Sequence, residues 1–340
     1  MPTTPTISVI LPVHNARSYL LEALESVAAQ TFKDFEVVAV HGGSSDGSDE
    51  ALEKAALRWA WLRVERQPRP GLSAAINCAL AASRGEFIAR MDADDRCRPA
   101  RFSRQIETLL SNPGIDAVGT AVKTFGESAV GTWRYPLSWD AVRARVFFGS
   151  PFAHPAMMFR RSSLCFRAPL YREEVLAAED YELWAEYLWR SRAVNLPEVM
   201  LDYRCHSGQA TAVRAERQRL EVTKVWTTLL GRLGLGLDGE AEAAHAVLAG
   251  ARRARSRADL VAAAAWAERL WRRNNDTTCV ALTAWEHELR TRWYETCRHA
   301  APGCRGSFRA YLRSRWRTLK PVALVRLWAS RFRMERNLFR

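Results

Sequence analysis

Three carboxylates lie within four positions of the sequence, at Asp92, Asp94 and Asp95. They follow the largely apolar stretch 86–90, which has the composition of a buried strand. Carboxylates this close repel one another, and a divalent cation bound by their oxygens relieves that repulsion. Asp94 or Asp95 would also suit the cap of a helix that follows Pro99. Taken alone, the cluster leaves metal binding and helix capping both open.

A separate pair of acids, Glu179 and Asp180, begins a segment with helical character that runs to residue 189. Acids in the first turn of a helix are favoured by its dipole, so the pair has a purely structural interpretation. His154 and His206 also stand out, although a lone histidine is most often an ordinary polar residue. These residue types alone assign no role to any of the four.

Strand patterns alternate with helical patterns through the first part of the chain. Strands are predicted at 7–13, 35–40, 62–65 and 86–90, with helices after residue 20, after residue 48 and over 72–82. Such alternation predicts a mostly parallel sheet, whose ligands bind beyond the carboxyl ends of the strands. The loops at 12–15, 41–48 and 92–95 are therefore expected to converge on one crevice.

Four segments in this order, 10–15, 42–48, 71–77 and 89–95, resemble the signature of family 2 glycosyltransferases of the GT-A fold. Three more, at 153–161, 178–184 and 203–209, resemble acceptor-side motifs of bacterial members. The resemblance covers roughly residues 5–212. It implies an α/β fold in which a Rossmann-like, nucleotide-binding mixed sheet is flanked by helices. Residues 213–300, rich in Ala, Arg, Leu and Trp with helical spacing, predict a C-terminal helical extension after it.

The resemblance also implies an inverting, metal-dependent enzyme that uses a nucleoside-diphosphate-sugar, with a UDP-sugar as the first choice. Asp94, Asp92 and His206 would bind a Mn²⁺ or Mg²⁺ ion that bridges the diphosphate. The residues expected to hold the nucleotide-sugar are Pro12, His14, Asn15, His41, Gly43, Ser44, Asp46, Asn77, Asp92 and Arg204.

On the acceptor side, Asp180 matches the family's catalytic base, Glu179 would orient the site, and His154 would lie nearby. The acceptor would be a glycan or lipid-linked intermediate of surface-polysaccharide biosynthesis. Two positions depart from the family pattern, which usually has Tyr at His14 and Asp at His41. That Asp would accept a hydrogen bond from uracil, and a neutral imidazole accepts it more weakly. Thymidine and guanosine nucleotides therefore stay open as alternatives.

The 340 residues carry a formal net charge of +13. Residues 305–340 hold eleven Arg or Lys and one acid, a net charge of +10, interleaved with aromatic residues that include Trp316 and Trp328. Such a segment suits the headgroup layer of an anionic membrane, and the alternative is a helix packed on the protein with its arginines in water. We therefore predict a catalytic domain at 1–212, a helical extension at 213–304 and a basic amphipathic tail at 305–340.

Two absences bear on location. No apolar run reaches the ~18 residues of a membrane span, and no signal sequence is evident, so the expectation is a cytoplasmic protein, peripheral on the inner face of the membrane. The 7 cysteines are scattered, which predicts reduced thiols.

A metal-dependent nucleotidyltransferase and a nucleic-acid-binding protein are the alternative functions. The basic charge lies at one end, away from the acidic crevice, and this argues against nucleic acid. Neither alternative accounts for the acid pair at 179–180 or the Arg204 and His206 pattern.

Overall fold

The computed structural model describes residues 4–129, 131–207, 215–300, 304 and 306–317. The chain divides into two compact units, one made of residues 1–142 and 150–222, the other of residues 143–149 and 223–340. The division thus falls ten residues after the predicted one at 212/213, and the short segment 143–149 belongs with the C-terminal unit.

The first unit is built on one mixed sheet, to which the described residues contribute nine strands. The strands are β1 Ile7–Val13, β2 Phe35–His41, β3 Leu62–Arg66, β4 Phe87–Arg90, β5 Arg96–Cys97, β6 Ala117–Gly126, β7 Thr132–Trp133, β8 Met158–Arg160 and β9 Ala193–Cys205. The helices that begin in this unit are α1 Leu20–Ala28, α2 Ser48–Arg58, α3 Leu72–Ala82, α4 Arg101–Ser111, α5 Trp139–Arg145, α6 Glu179–Tyr187 and α7 Ala215–Gly231.

The strand order is β3-β2-β1-β4-β8-β6-β9-β5, with β7 beside β6. The first four strands in this order are parallel, and Val13 lies opposite His41 at the ends of β1 and β2. β8 runs antiparallel to β4, which makes the sheet mixed. The predicted α/β architecture is confirmed, and the loops after β1, β2 and β4 leave from the same edge of the sheet.

Burial explains why the strand predictions were accurate here. All seven positions of both β1 and β2 are buried, as expected for parallel strands covered on both faces. Glu36 is the charged exception within β2, and it accepts hydrogen bonds from Ser8, Arg63 and Arg84. Burial by itself raises the pKa of Glu36, but these bonds bring it down to about 2. The buried carboxylate is therefore fully paired.

The second unit is helical, as predicted for the C-terminal extension. It contains most of α7, then α8 Gly239–Ala249, α9 Arg257–Thr277, α10 Leu282–Arg298 and α11 Ser307–Arg313. His245 is fully buried, with Nε2 3.0 Å from the Phe147 carbonyl oxygen and Nδ1 accepting a 3.0 Å bond from Trp266. In the part of the chain that the structure describes, no helix is long and apolar enough to cross a membrane.

The beginning of the basic tail packs into this second unit. Tyr311 and Trp316 are buried, with 0% and 1% of their surface exposed. The expectation that Trp316 is available to a membrane is therefore wrong, because a buried indole cannot also enter a headgroup layer. Trp328 and the rest of the tail, residues 318–340, lie outside the described residues.

Candidate active site

Hydrogen bonds join the loops that follow β1 and β2. The backbone N–H of Asn15 donates to Ser44 Oγ at 3.3 Å, and Ser45 N–H donates to Asn15 Oδ1 at 2.9 Å. Asn15 has φ 47°, in the left-handed region that asparagine tolerates. Asp46 Oδ2 accepts a 2.9 Å bond from the N–H of Arg17. Three of the predicted nucleotide-binding residues, Asn15, Ser44 and Asp46, are thus brought together, and their side chains hold the loops in place.

The neighbouring predicted residues differ in accessibility. His14 and Gly43 are exposed, whereas Pro12 is buried within β1. Gly43 has φ +83° and open space where a Cβ would point, so the position requires glycine for its backbone conformation and not for lack of room. His14 and Gly43 can therefore reach a ligand directly, and Pro12 can act only through the shape of the loop.

His41 ends β2 with its ring directed at helix α2. Its Nδ1 lies 3.0 Å from Asp49 Oδ2, and its Nε2 lies 3.5 Å from Glu53 Oε1. Both ring nitrogens thus face carboxylate oxygens, which are acceptors. These surroundings do not match the predicted role of His41 as a hydrogen-bond acceptor for a base.

The three aspartates after β4 form a compact group. Asp92, Asp94 and Asp95 each place an oxygen within 4.8 Å of the others. Asp92 and Asp94 are partly exposed, whereas Asp95 is buried and burial raises its pKa well above the usual range. Among the described residues, none donates a hydrogen bond to the buried Asp95 Oδ2, and a bound cation would coordinate this oxygen. The donor set therefore fits a hard divalent cation.

The alternative role of these aspartates, helix capping, is wrong. The residue at the N-terminus of α4 is Ala100, and no side chain caps that helix.

Arg90, the last residue of β4, is a buried cation beside these aspartates. Its side chain pairs with Asp92. Burial raises the pKa of Asp92, Glu179 and Asp180, and the positive charge of Arg90 opposes this rise. Arg90 was not among the predicted site residues. Its signal in the sequence is a charged residue that ends an apolar run.

Arg204 supports the aspartate loop, residues 92–95. Its Nε donates to the Asp94 carbonyl oxygen at 2.7 Å, and its Nη2 pairs with Glu22. The guanidinium lies between the rings of Tyr19 and Phe125, 4.4 and 4.3 Å from their centroids. Because these contacts occupy the guanidinium, Arg204 is placed to support the loop, and the predicted role of offering charge to phosphates requires some of them to be released.

His206 lies beside the same loop. Its Nε2 is 3.1 Å from Asp94 Oδ2, and its ring is 5.0 Å from that of Tyr19. The structure thus brings together the two residues, Asp94 and His206, that the sequence analysis assigned to one metal site. Tyr19 was not anticipated.

The acid pair opens α6, so Glu179 and Asp180 both lie in its first turn. Burial raises the pKa of both carboxyls, and the charge of Asp180 contributes to bringing the pKa of Glu179 to about 7. The N–H of Tyr181 donates to Asp180 Oδ1 at 2.7 Å and partly offsets the effect of burial on Asp180. Raised pKa values suit a general base that works near neutral pH.

Two other predicted residues, His154 and Asn77, form hydrogen bonds with Tyr171. His154 is buried, and its Nε2 lies 2.7 Å from the Tyr171 hydroxyl oxygen. Burial, helped by the charge of Arg90, lowers the pKa of His154 well below its usual value. Asn77 donates to the Tyr171 carbonyl oxygen at 2.8 Å and accepts from its N–H at 2.9 Å. Both residues are therefore placed to fix Tyr171.

Comparison with known proteins agrees with this architecture. Residues 8–166 match the family model described as glycosyl transferase family 2. The amylovoran biosynthesis glycosyltransferase AmsE of Erwinia amylovora is 33% identical over 208 residues, covering 59% of this chain and 76% of AmsE. The O-antigen biosynthesis glycosyltransferase WbnJ of Escherichia coli is 28% identical over 207 residues, covering 59% of this chain and 80% of WbnJ.

Among solved structures, S. aureus TarS 1-349 in complex with UDP superposes with a TM-score of 0.54 at 18% identity, covering 98% of this chain and 91% of that one. A longer TarS chain gives a TM-score of 0.51 at 20% identity, and this match covers 72% of the present chain and 48% of the TarS chain. At such identities the likeness extends to the fold.

Proposed function

The chain belongs to glycosyltransferase family 2, and on that premise we propose that it moves a sugar from a nucleoside-diphosphate-sugar to a hydroxyl of a glycan or lipid-linked acceptor, with inversion. The observation that carries the proposal is the compact group of aspartates after β4, in which Asp92 pairs with the buried Arg90. The charges of Arg90 and Asp92 also act on the acid pair that opens α6. Asp92 would bind the donor, and the acid pair would act on the acceptor. Their common neighbour Arg90 suits a reaction in which the acceptor displaces the nucleoside diphosphate in one step.

The donor end of the site is assigned to the aspartate loop. Asp94, Asp92 and His206 would hold Mn²⁺ or Mg²⁺, which supplies positive charge to the departing nucleoside diphosphate. Arg204 keeps this loop in position through the Asp94 carbonyl. The exposed His14 and Gly43 would lie against the nucleoside.

The acceptor end is assigned to α6. The acceptor hydroxyl oxygen forms a bond to the anomeric carbon while the bond from that carbon to the phosphate oxygen breaks. Asp180 takes the hydroxyl proton, and the attack from the opposite face gives inversion. Glu179 orients the acceptor, and Tyr171, fixed by His154 and Asn77, forms part of the same surroundings.

The names of the relatives support a surface-polysaccharide pathway, since AmsE and WbnJ are amylovoran and O-antigen biosynthesis enzymes. A UDP-sugar is the first candidate donor, because TarS has been solved with UDP and with UDP-GlcNAc. The contacts of His41 with Asp49 and Glu53 keep thymidine and guanosine nucleotides as candidates.

A panel of nucleotide-sugars with Mn²⁺ or Mg²⁺ tests this proposal. One donor class should raise the melting temperature, because a ligand that binds the folded state stabilises it by mass action. Chelation of the metal should remove the effect. With the acceptor present, the products should be a nucleoside diphosphate and a glycoside of inverted anomeric configuration by NMR. Pyrophosphate released from a nucleoside triphosphate would instead establish the alternative, a nucleotidyltransferase.

We also propose that the tail binds the inner face of an anionic membrane. The membrane-binding part is residues 318–340, which begins later than the predicted start at residue 305. Residues 318–340 hold six Arg or Lys and one acid, a net charge of +5, together with Trp328 and Phe332. Attraction of about 1 kcal/mol per basic residue adds to the burial of these aromatic rings.

Removal of residues 318–340 should abolish binding to anionic vesicles, while donor-dependent stabilisation remains. Removal from residue 305 should instead destabilise the second unit, because it deletes the buried Tyr311 and Trp316. Vesicle co-sedimentation at low and high salt, with neutral vesicles as control, measures the first effect. Equal binding by the full-length chain and the shorter one would remove the membrane role from these residues.

A further inference from the structure

The segment 171–178 leads directly into the acid pair and has no regular structure of its own. Helix α6 begins after Ala178, which has no side chain able to cap it, and no side-chain cap is formed there. The orientation of the first turn of α6, and with it that of Asp180, therefore depends both on the packing and ion pairs of the helix itself and on what holds this segment from outside.

One carboxylate from a distant part of the unit holds it. Glu221, in α7, accepts hydrogen bonds from the backbone N–H of Leu176, at 3.2 and 3.1 Å to its two oxygens, and from the N–H of Ala177 at 2.7 Å. Arg217 Nε completes the set at 2.9 Å. Glu221 is buried, with 7% of its surface exposed. Bonds to a charged acceptor are about twice as strong as neutral ones, so this contact is a firm anchor.

The other anchors act further back along the segment. Asn77 holds the backbone of Tyr171, and Ser73 Oγ reaches the Val175 carbonyl oxygen at a longer 3.4 Å. The amide of Ala177, bound by Glu221, lies three residues before Asp180 and two before the start of the helix. Of these three anchors, Glu221 is thus the one closest to the acid pair.

We infer that Glu221 is a positioning residue, which sets the orientation of the Asp180 carboxylate by fixing the backbone amides of Leu176 and Ala177. This inference rests on the proposed function, in which Asp180 is the base. Glu221 need not touch the substrate. Its effect is transmitted through two amides and one helical turn.

Glu221→Gln tests the inference with little change in shape. A glutamine offers one acceptor oxygen, and its NH₂ group is a donor that cannot pair with a second backbone N–H. We expect kcat to fall about 10- to 100-fold, as for a small misplacement of a catalytic group, while the donor KM and donor-dependent stabilisation stay unchanged. Glu216→Gln, an exposed position five residues earlier in α7, is the matched control and should retain wild-type kcat.

A double-mutant cycle separates positioning from general weakening. If Glu221 acts through Asp180, adding Glu221→Gln to Asp180→Asn should cause no further loss of kcat. Independent, multiplicative losses would overturn the inference, as would unchanged kcat in Glu221→Gln when Asp180→Asn is impaired. Normal turnover in Asp180→Asn is a separate outcome. It would show that Asp180 is not the base, and the role of Glu221 inferred from it would then fail as well.

Two further measurements cover the case in which Glu221→Gln does not fold. Hydrogen exchange on the wild-type protein should show the amides of Leu176 and Ala177 protected, and rapid exchange there would contradict the anchor. Glu221→Asp keeps the charge on a shorter side chain, and its kcat should fall less than that of the glutamine variant. Wild-type kcat in a folded Glu221→Asp, combined with unprotected amides, would overturn the inference.

Discussion

Asp180→Asn should lower kcat by about 10²-fold or more, because an asparagine keeps the shape of the side chain but cannot take a proton. Donor affinity should barely change, since the proposed donor contacts lie on the loops after β1, β2 and β4. Steady-state kinetics with saturating donor, combined with donor-dependent thermal stabilisation, measures the two effects separately. Glu179→Gln should cause a smaller loss, because its proposed role is to orient the acceptor.

The pH profile provides a second readout for the same residue. Burial raises the pKa of Asp180, so its base form is lost, as pH falls, at a higher pH than for an ordinary aspartate. The acid limb of the wild-type kcat profile should therefore lie above the usual aspartate range. Glu174→Gln, an exposed position in the segment before α6, serves as the control. Near-normal kcat in Asp180→Asn would return Asp180 to a structural role in the first turn of α6.

Asp94→Ala should abolish the metal-dependent stabilisation by the donor nucleotide while the protein stays folded. Asp94 is partly exposed, and its carboxylate contacts His206, so little packing is lost. The backbone bond from Arg204 to the Asp94 carbonyl does not depend on the side chain. The family resemblance places Asp92 at the ribose or the metal. Asp92→Asn should therefore weaken donor binding less completely, because an amide still hydrogen-bonds to ribose.

Thermal unfolding with and without Mn²⁺, across a nucleotide titration, measures this second effect. Asp140→Ala, an exposed aspartate at the start of α5, is the matched control and should keep the full stabilisation. If Asp94→Ala retained wild-type Mn²⁺-dependent stabilisation, Asp94 would not be a metal ligand, and the metal would have to be placed elsewhere.

The local residue pattern was sufficient to predict the strands and helices that carry the site. The continuous apolar runs of β1 and β2 reflect burial on both faces, and α3 spans Leu72–Ala82 as its periodicity predicts. These features are readable because a strand or helix records in its own residues which faces are covered. The same holds for the aspartate cluster after β4, since Asp92, Asp94 and Asp95 are neighbours in the chain.

Tertiary structure decided which polar side chains are free and which are already engaged. Asn77 was predicted to hold the nucleotide-sugar and His154 to lie on the acceptor side, and the structure shows both hydrogen-bonded to Tyr171, while Arg204 contacts two rings. Glu221 gave no signal in the sequence, because the backbone amides that it binds lie 44 and 45 residues away. The sequence by itself thus determines which residue types stand at the sheet edge. Their hydrogen-bond partners and desolvation, which set what each group can do, arise only when distant segments are packed together.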